Sequence, residues 1–334
     1  MKAKSNKRPK ALRSPADNQY GEVIGVIQNH QSFLITTHEN PDGDGLGAES
    51  ALFLALRKMG KKVRVVNHDP LPQRFAYLPF RPYYHSSDRI PPHEVCFVLD
   101  AGDFSRIREG VRREEFSTLV NIDHHFSNDL FGDYNLVLPQ ASATGEIIHD
   151  LIRALKIKID QPIAESLYTS LITDTGGFRY SNTTPKVLRM AADLVEAGVE
   201  AQKVSDQVFA GVSREAMDLI RRALGTIQTH EQDLIGSMVL THADFKRSGA
   251  KEDDTDNLIN FVRKLDKVQI AVFLKERPDR QIKLSLRGRN GANVATIAKR
   301  FGGGGHIYAA GATLPGPLSK ALKVVLQACR TAVK

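Results

Sequence analysis

The chain has 334 residues, 41% hydrophobic and 25% charged, the profile of a soluble globular protein long enough for two cores at roughly 100 to 200 residues each. No stretch approaches the roughly 18 uninterrupted apolar residues of a membrane-spanning helix, and the amino terminus lacks the apolar segment of a secretory signal. Two cysteines, Cys96 and Cys329, exclude a disulfide scaffold or a zinc cluster, so a cytoplasmic protein is expected.

Forty-six Lys and Arg against 38 Asp and Glu give +8, a balance that suggests a polyanionic partner. Six of these charges (Lys2, Lys4, Lys7, Arg8, Lys10 and Arg13) fall in the first thirteen residues without one acid. Such a segment cannot bury enough apolar surface to order itself, so residues 1–16 are expected to form a disordered basic tail. A solubilising arm and a nucleic-acid contact both fit it. The remaining 321 residues carry only +2, so a phosphate partner has to be argued from local motifs.

After the tail, apolar runs at Phe33–Thr37, Lys62–Val66, Val95–Leu99 and Leu119–Ile122 predict buried strands. Helical patterns cover Leu46–Met59, Thr144–Leu155, Ile163–Thr173 and Pro185–Ala197. Together they predict an α/β domain over residues 17–205, with a mostly parallel sheet flanked by helices and its chemistry at the carboxyl ends of the strands. A helix over Ser213–Thr229 is expected within a helical connector, residues 206–230. Residues 231–334 read as a smaller α/β domain with a mixed sheet: strands at Ile235–Leu240, Val268–Leu274 and Gln281–Leu286, helices at Thr255–Leu265, Asn293–Phe301 and Leu318–Ala332.

The first strand runs into His38, Asn40, Asp42 and Asp44, interleaved with Gly43, Gly45 and Gly47. The glycines are expected to permit tight turns, and an imidazole with two carboxylates within seven residues can converge on a metal. A capped loop without metal is the plainer alternative. Asp100 follows the third strand, where an Asp equally often caps the next helix. The fourth strand ends in Asp123-His124-His125. Adjacent side chains cannot all point one way, so if His124 binds metal, Asp123 supports it from behind and His125 faces substrate. Asp174 closes a helix ahead of Gly176-Gly177, as a metal ligand or simply as a polar terminus. Four carboxylates and two imidazoles without a thiolate favour Mn2+ or Mg2+ over structural zinc. Two such ions would offset the crowded negative charge, activate a shared water and clamp a phosphoryl oxygen.

In the second domain Lys283, Arg287 and Arg289 precede a helix and then Gly302-Gly303-Gly304-Gly305-His306. Residues 281–306 hold five Lys or Arg and no acid. Glycine-loop NH groups flanked by Arg287 and His306 could hold a phosphate, although a lone glycine loop is more often only a turn.

His38-x3-Asp42-x-Asp44, Asp100, Asp123-His124-His125 and Asp174, in that order, resemble the DHH phosphoesterase superfamily, and the GGGGH segment resembles its DHH-associated carboxy-terminal domain. The length and the glycine segment are most similar to the bifunctional oligoribonucleases that also dephosphorylate pAp. Arg287-Gly288-Arg289 and Ile307-Tyr308 depart from the expected sequence, away from the metal ligands.

The resemblance implies a two-metal phosphodiesterase that uses a metal-bridging hydroxide to hydrolyse short single-stranded oligonucleotides to 5′ mononucleotides, with pAp 3′-phosphatase activity alongside. One ion would be held by His38, Asp42 and Asp100, the other by Asp44, Asp100, His124 and Asp174, with Mn2+ expected ahead of Mg2+. Asp100, Asp123 and His125 would be catalytic, and Arg287, Gly303, Gly304, Gly305 and His306 would bind substrate. Hydrolysis of cyclic di-AMP or pApA is the enzymatic alternative, and a non-catalytic nucleotide-binding module the non-enzymatic one. No membrane is involved in this reading, and a homodimer is left open.

Overall fold

The computed structural model describes residues 15–87, 95–107, 113–209, 211–255 and 258–333. The basic tail therefore lies outside the described residues as far as residue 14, while residues 15 and 16 already belong to the first helix. The chain divides into two compact units, Met1–Gly211 and Val212–Lys334.

The first unit contains α1 (Pro15–Asn29), β1 (Ser32–Thr37), α2 (Gly43–Lys58), β2 (Lys62–Asn67), β3 (Tyr84–Ser86), β4 (Val95–Leu99), β5 (Thr118–Asp123) and β6 (Tyr134–Val137). Four helices follow: α3 (Thr144–Ala154), α4 (Gln161–Asp174), α5 (Pro185–Glu196) and α6 (Ala201–Phe209). Its sheet is wholly parallel, in the order β3-β2-β1-β4-β5-β6. Strand order reverses between β1 and β4, and at such a switch point the two connections leave in opposite directions and open a crevice beyond the strand carboxyl ends.

Alternate residues of the strands bury on opposite faces. Phe33, Ile35, Phe97, Leu99, Val120 and Ile122 join the large core under the helices, whereas Leu34, Cys96, Val98 and Leu119 pack with Ile107 and Phe116 on the other side. Burial on both faces explains why these strands read as unbroken apolar runs.

The glycines after β1 do not make a turn, contrary to expectation. Gly43, Gly45 and Gly47 lie inside α2, and they are there because neighbours come too close for a side chain. A Cβ on Gly47 would meet the backbone of α4, 2.5 Å from Ser166 O and 2.7 Å from Ser170 N, and one on Gly45 would meet Thr37 Oγ1 at 2.4 Å.

The second unit contains α7 (Arg214–Leu224), β7 (Gln228–His230), β8 (Ile235–Leu240), α8 (His242–Ser248), α9 (Ile259–Arg263), β9 (Ile270–Glu276), β10 (Gln281–Gly288), α10 (Val294–Lys299), β11 (Gly304–His306), β12 (Ala309–Pro315) and α11 (Leu318–Arg330). Its mixed sheet runs β11-β12-β10-β9-β8-β7, with β8 and β9 the parallel pair. One face packs on α10 and α11, the other on α7 and α9.

Two expectations are corrected here. The helix over Ser213–Thr229 stops at Leu224, and Gln228–His230 pair with β8 instead. The glycine segment is not simply a loop: Gly304, Gly305 and His306 form an edge strand against Gly311, Ala310 and Ala309. Among the described residues no helix is long and apolar enough to cross a membrane.

Candidate metal centre and catalytic site

The sequence-predicted residues of the first unit meet beyond the carboxyl ends of β1, β4 and β5. Thr37 anchors the first of these ends, its NH donating to Asn67 Oδ1 (2.9 Å) and its hydroxyl to Leu99 O (2.7 Å). His38 follows directly, and its Nδ1 is 2.7 Å from Glu39 O, so this nitrogen carries the proton and Nε2 is left as the metal-binding atom. Asp42 caps α2: Oδ1 accepts from the NH groups of Asp44 (2.9 Å) and Gly45 (3.2 Å). The cap stabilises the helix and at the same time fixes the carboxylate.

Asp44 reaches across to α3 and α4. It accepts from Thr144 N (2.8 Å), Gly145 N (3.1 Å) and the Ser170 hydroxyl, a helix amino terminus and a buried hydroxyl arranged around one carboxylate. Close packing of Gly47 and Gly145 against Ser170 makes this reach short enough. Asp100 turns out of β4 in a left-handed conformation, φ +58, which costs energy for a non-glycine residue and is typical of functional positions. Its NH donates to Ile122 O and its Oδ1 accepts from Thr144 Oγ1 at 3.1 Å.

Two groups of donors converge. In His38, Asp42 and Asp100, and again in Asp44, His124 and Asp174, the potential ligand atoms all lie within 4.8 Å of one another. His124 Nε2 stands 3.5 Å from Asp44, 3.6 Å from Asp100 and 3.8 Å from Asp174, and His38 Nε2 stands 3.7 Å from Asp100. Asp100 thus touches both groups. His125 joins a third cluster with Asp100 and His124, a grouping not anticipated from sequence. Asp174 is held by Asn182 Nδ2 at 3.1 Å.

Asp123 differs from these in being saturated. Oδ1 accepts from the NH groups of His124 (2.7 Å) and His125 (3.1 Å) and lies 2.7 Å from His125 Nδ1; Oδ2 accepts from Gly102 N (3.0 Å) and Asn128 Nδ2 (2.6 Å). With its lone pairs engaged, it orients the His125 ring.

The electrostatics separate the carboxylates. Burial pushes Asp100 well above the usual carboxylate range, and Asp44, Asp42, Asp123 and Asp174 push it further. Asp44 is raised by burial and by Asp42 against the pull of His124. Burial, with Asp44 and Asp42, lifts Asp174 to about 7 despite His124. Two carboxyls go the other way. Burial opposes ionisation of Asp123, but the His125 contacts and Asn128 outweigh it and hold the group well below its ordinary value. At Asp42, burial is likewise overcome by His38, the two capping NH groups and Arg106. Burial lowers His124, yet Asp44, Asp174 and Asp123 more than reverse this.

Crowded carboxylates held above their ordinary range would be relieved by positive charge brought among them. The oxygen-rich, thiolate-free donor set fits two hard or borderline divalent cations.

In the second unit Arg287 lies on β10 between Ala271 and Ala309, and its Nη1 donates to Leu286 O at 3.1 Å. Gly303 has no room for a side chain, since a Cβ would fall 2.0 Å from Gly311 O, and Gly305 has φ +134. The His306 side chain lies outside the described residues.

Sequence reasoning missed Thr144, Gly145, Ser170, Asn182 and Arg106. A signal existed for Ser170: Ser166, Thr169, Ser170 and Thr173 put small polar side chains along α4, the mark of a helix approached closely by another. No motif marks Asn182 or Arg106.

Comparison with known proteins agrees with this geometry. The family model "DHH family, N-terminal domain" matches residues 32–171, and that of the DHHA1 domain matches residues 234–334. The chain is 37% identical over 312 residues to a bifunctional oligoribonuclease and PAP phosphatase, NrnA, of Thermus thermophilus, covering 92% of each. It is 26% identical to the protein of the same name in Mycoplasma pneumoniae, covering 88% of this chain and 90% of that one. Among solved structures, an exopolyphosphatase-related protein from Bacteroides fragilis shares the fold with a TM-score of 0.89 at 23% identity, covering 97% of this chain and 98% of the other. RecJ from Thermus thermophilus in complex with Mn2+ also shares the fold, with a TM-score of 0.53 at 12% identity over 96% of this chain and 56% of that one.

Proposed function

The chain belongs to the DHH family of phosphoesterases, with a DHHA1 domain following the DHH domain, and on that premise we propose that it hydrolyses short single-stranded oligonucleotides to 5′ mononucleotides and removes the 3′ phosphate of pAp. The observation that carries this reading is the convergence of His38, Asp42 and Asp100 with Asp44, His124 and Asp174 in two groups of ligand atoms beyond the sheet.

Two divalent cations, Mn2+ ahead of Mg2+, would supply an acidified water and charge neutralisation at the phosphoryl group. His38, Asp42 and Asp100 would hold one and Asp44, Asp100, His124 and Asp174 the other, with Asp100 common to both. The rest is the work of this chain's own side chains. The cap that fixes Asp42 and the α3 and α4 donors that fix Asp44 keep both carboxylates in place, so little reorganisation accompanies binding. Asp123 holds the proton of His125 at Nδ1, which leaves Nε2 as the nitrogen that meets the phosphate or the leaving oxygen. In the DHHA1 unit Arg287, the glycine segment Gly303, Gly304 and Gly305, and His306 would hold a nucleotide phosphate, limiting substrates to short ends.

The test is a substrate panel with Mn2+ present: RNA dimers to pentamers, pAp, pApA and cyclic di-AMP. Mononucleotides from the short RNAs and phosphate from pAp are expected. Turnover confined to cyclic di-AMP or pApA would replace this reading with the dinucleotide phosphodiesterase, and no turnover at all would remove the enzymatic reading.

A further inference from the structure

Arg106 lies beside the centre, close enough for its charge to help hold the Asp42 carboxyl down. It is exposed, and among the described residues no carboxylate comes within ion-pair distance of its guanidinium. Its backbone is nevertheless pinned, the carbonyl accepting from Glu39 N at 2.7 Å and the NH donating to Asp103 O at 3.3 Å. This ties the turn after β4 to the segment after β1 that carries His38 and Asp42. The side chain folds back over Gly102, two residues beyond Asp100. A Cβ built on Gly102 would stand 3.4 Å from Arg106 Nη1 and 3.8 Å from His125 Cγ, so guanidinium and imidazole both approach the same point above Gly102. Gly102 itself is fixed, φ +71, with its NH on Asp123 Oδ2.

The geometry points to Arg106 as a substrate-binding residue whose guanidinium, near the same point above Gly102 as His125, receives a non-bridging oxygen of the phosphate being cleaved. The inference rests on the phosphoesterase reading. Apart from its three histidines the centre is lined by carboxylates, which repel a phosphate wherever bound cations do not face it, and a planar guanidinium offers two parallel donors to phosphoryl oxygens. Its charge also reaches Asp42 through space, where it helps hold that carboxyl down. That contact defines the competing role: a counter-charge for Asp42, which would tune cation affinity and leave phosphate binding untouched.

Calorimetric titration of the Mn2+-loaded full chain with 5′-AMP separates the two. Arg106→Ala is expected to weaken 5′-AMP binding by about 10- to 100-fold, with Arg106→Lys recovering part of the loss and Mn2+ affinity unchanged in both variants. Equal 5′-AMP binding by wild type and Arg106→Ala overturns the assignment. So does a change confined to Mn2+ affinity, or a wild type that does not bind 5′-AMP. Should the wild type bind 5′-AMP but turn over nothing in the substrate panel, the proposed activity fails while the binding comparison still decides the role of Arg106.

Discussion

Gly47→Ala sets two opposing effects against each other on one helix. Alanine in a helix interior is favoured over glycine by about 1 kcal/mol, so propensity alone makes the variant more stable. The added Cβ would lie 2.5 Å from Ser166 O and 2.7 Å from Ser170 N, both backbone atoms of α4, so no side chain can rotate away and α2 and α4 must separate by roughly 1 Å. Overpacking a tight core costs about 1 to 3 kcal/mol, and against unyielding backbone the upper part of that range applies. The net is a loss of about 1 to 2 kcal/mol, or a Tm lowered by roughly 2 to 8 °C for a unit of this size. Gly25 in α1 supplies the control, because nothing lies within 4 Å of a Cβ built there. Gly25→Ala is expected to raise Tm by the propensity gain alone, about 2 to 4 °C. Thermal unfolding of the two variants beside wild type measures both shifts. A Gly47→Ala protein that melts at or above wild type would refute the argument from close helix approach.

Asp100→Asn keeps the side-chain shape and the tolerance for positive φ but removes a charge shared by both ligand groups. Phosphoester turnover is expected to fall by more than the roughly 10- to 100-fold typical of residues behind the ligands, with lower Mn2+ content by metal analysis and an unchanged circular dichroism spectrum; full activity would show that the bridge is misassigned. Glu49 is fully buried, its Oε2 accepts from Asn67 Nδ2 at 2.8 Å, and burial lifts it to about 8 against the Asn67 bond. The unfolded chain gives up this proton near pH 4.5 while the folded one keeps it, so the group costs nothing below that pH and costs progressively more stability as pH rises to about 8. Glu49→Gln, neutral throughout, should therefore match wild type at pH 5 and exceed it at pH 8 in denaturant unfolding; a stability difference independent of pH would contradict this. Arg287→Ala should raise KM for oligonucleotides with Mn2+ content unchanged, and an unaltered KM and rate would remove Arg287 from the substrate site.

Legibility in the sequence followed the size of the physical signal. Strands β1, β4 and β5 were readable to within a residue because burial on both faces leaves them nearly continuous apolar runs, and β2, whose first half is exposed, was readable from its valines. β3 and β11, three residues each, are recruited by pairing, one beside β2 and the other beside β12, and carry no pattern of their own. β6 is mostly half-buried and held by its register with β5, so its composition does not announce it. Helix α1, Pro15–Asn29, was not anticipated from the sequence at all, its polar first turn lying next to the basic tail. In the second unit, the run through Thr229 kept a helical pattern past Gly225, and the decision to stop at Leu224 came from β8, which takes up Gln228–His230 as its partner.

The candidate site divides in the same way. Chemistry-bearing residue types at strand ends, and the order in which His38, Asp42, Asp44, Asp100, the Asp123 to His125 triplet and Asp174 occur, are properties of the sequence, and they sufficed to indicate the family and a candidate metal site. Distances between segments more than a hundred residues apart are not encoded in any local pattern. Only the folded chain decides that Asp44 is held by the amino terminus of α3 and by Ser170, that Asp123 uses its lone pairs to orient His125, and that Arg106 and His125 both come close to Gly102. The glycines show the difference most directly. Their presence after β1 is plain in the sequence, but whether they serve a turn or a close approach depends on where α4 lies, which tertiary packing alone determines.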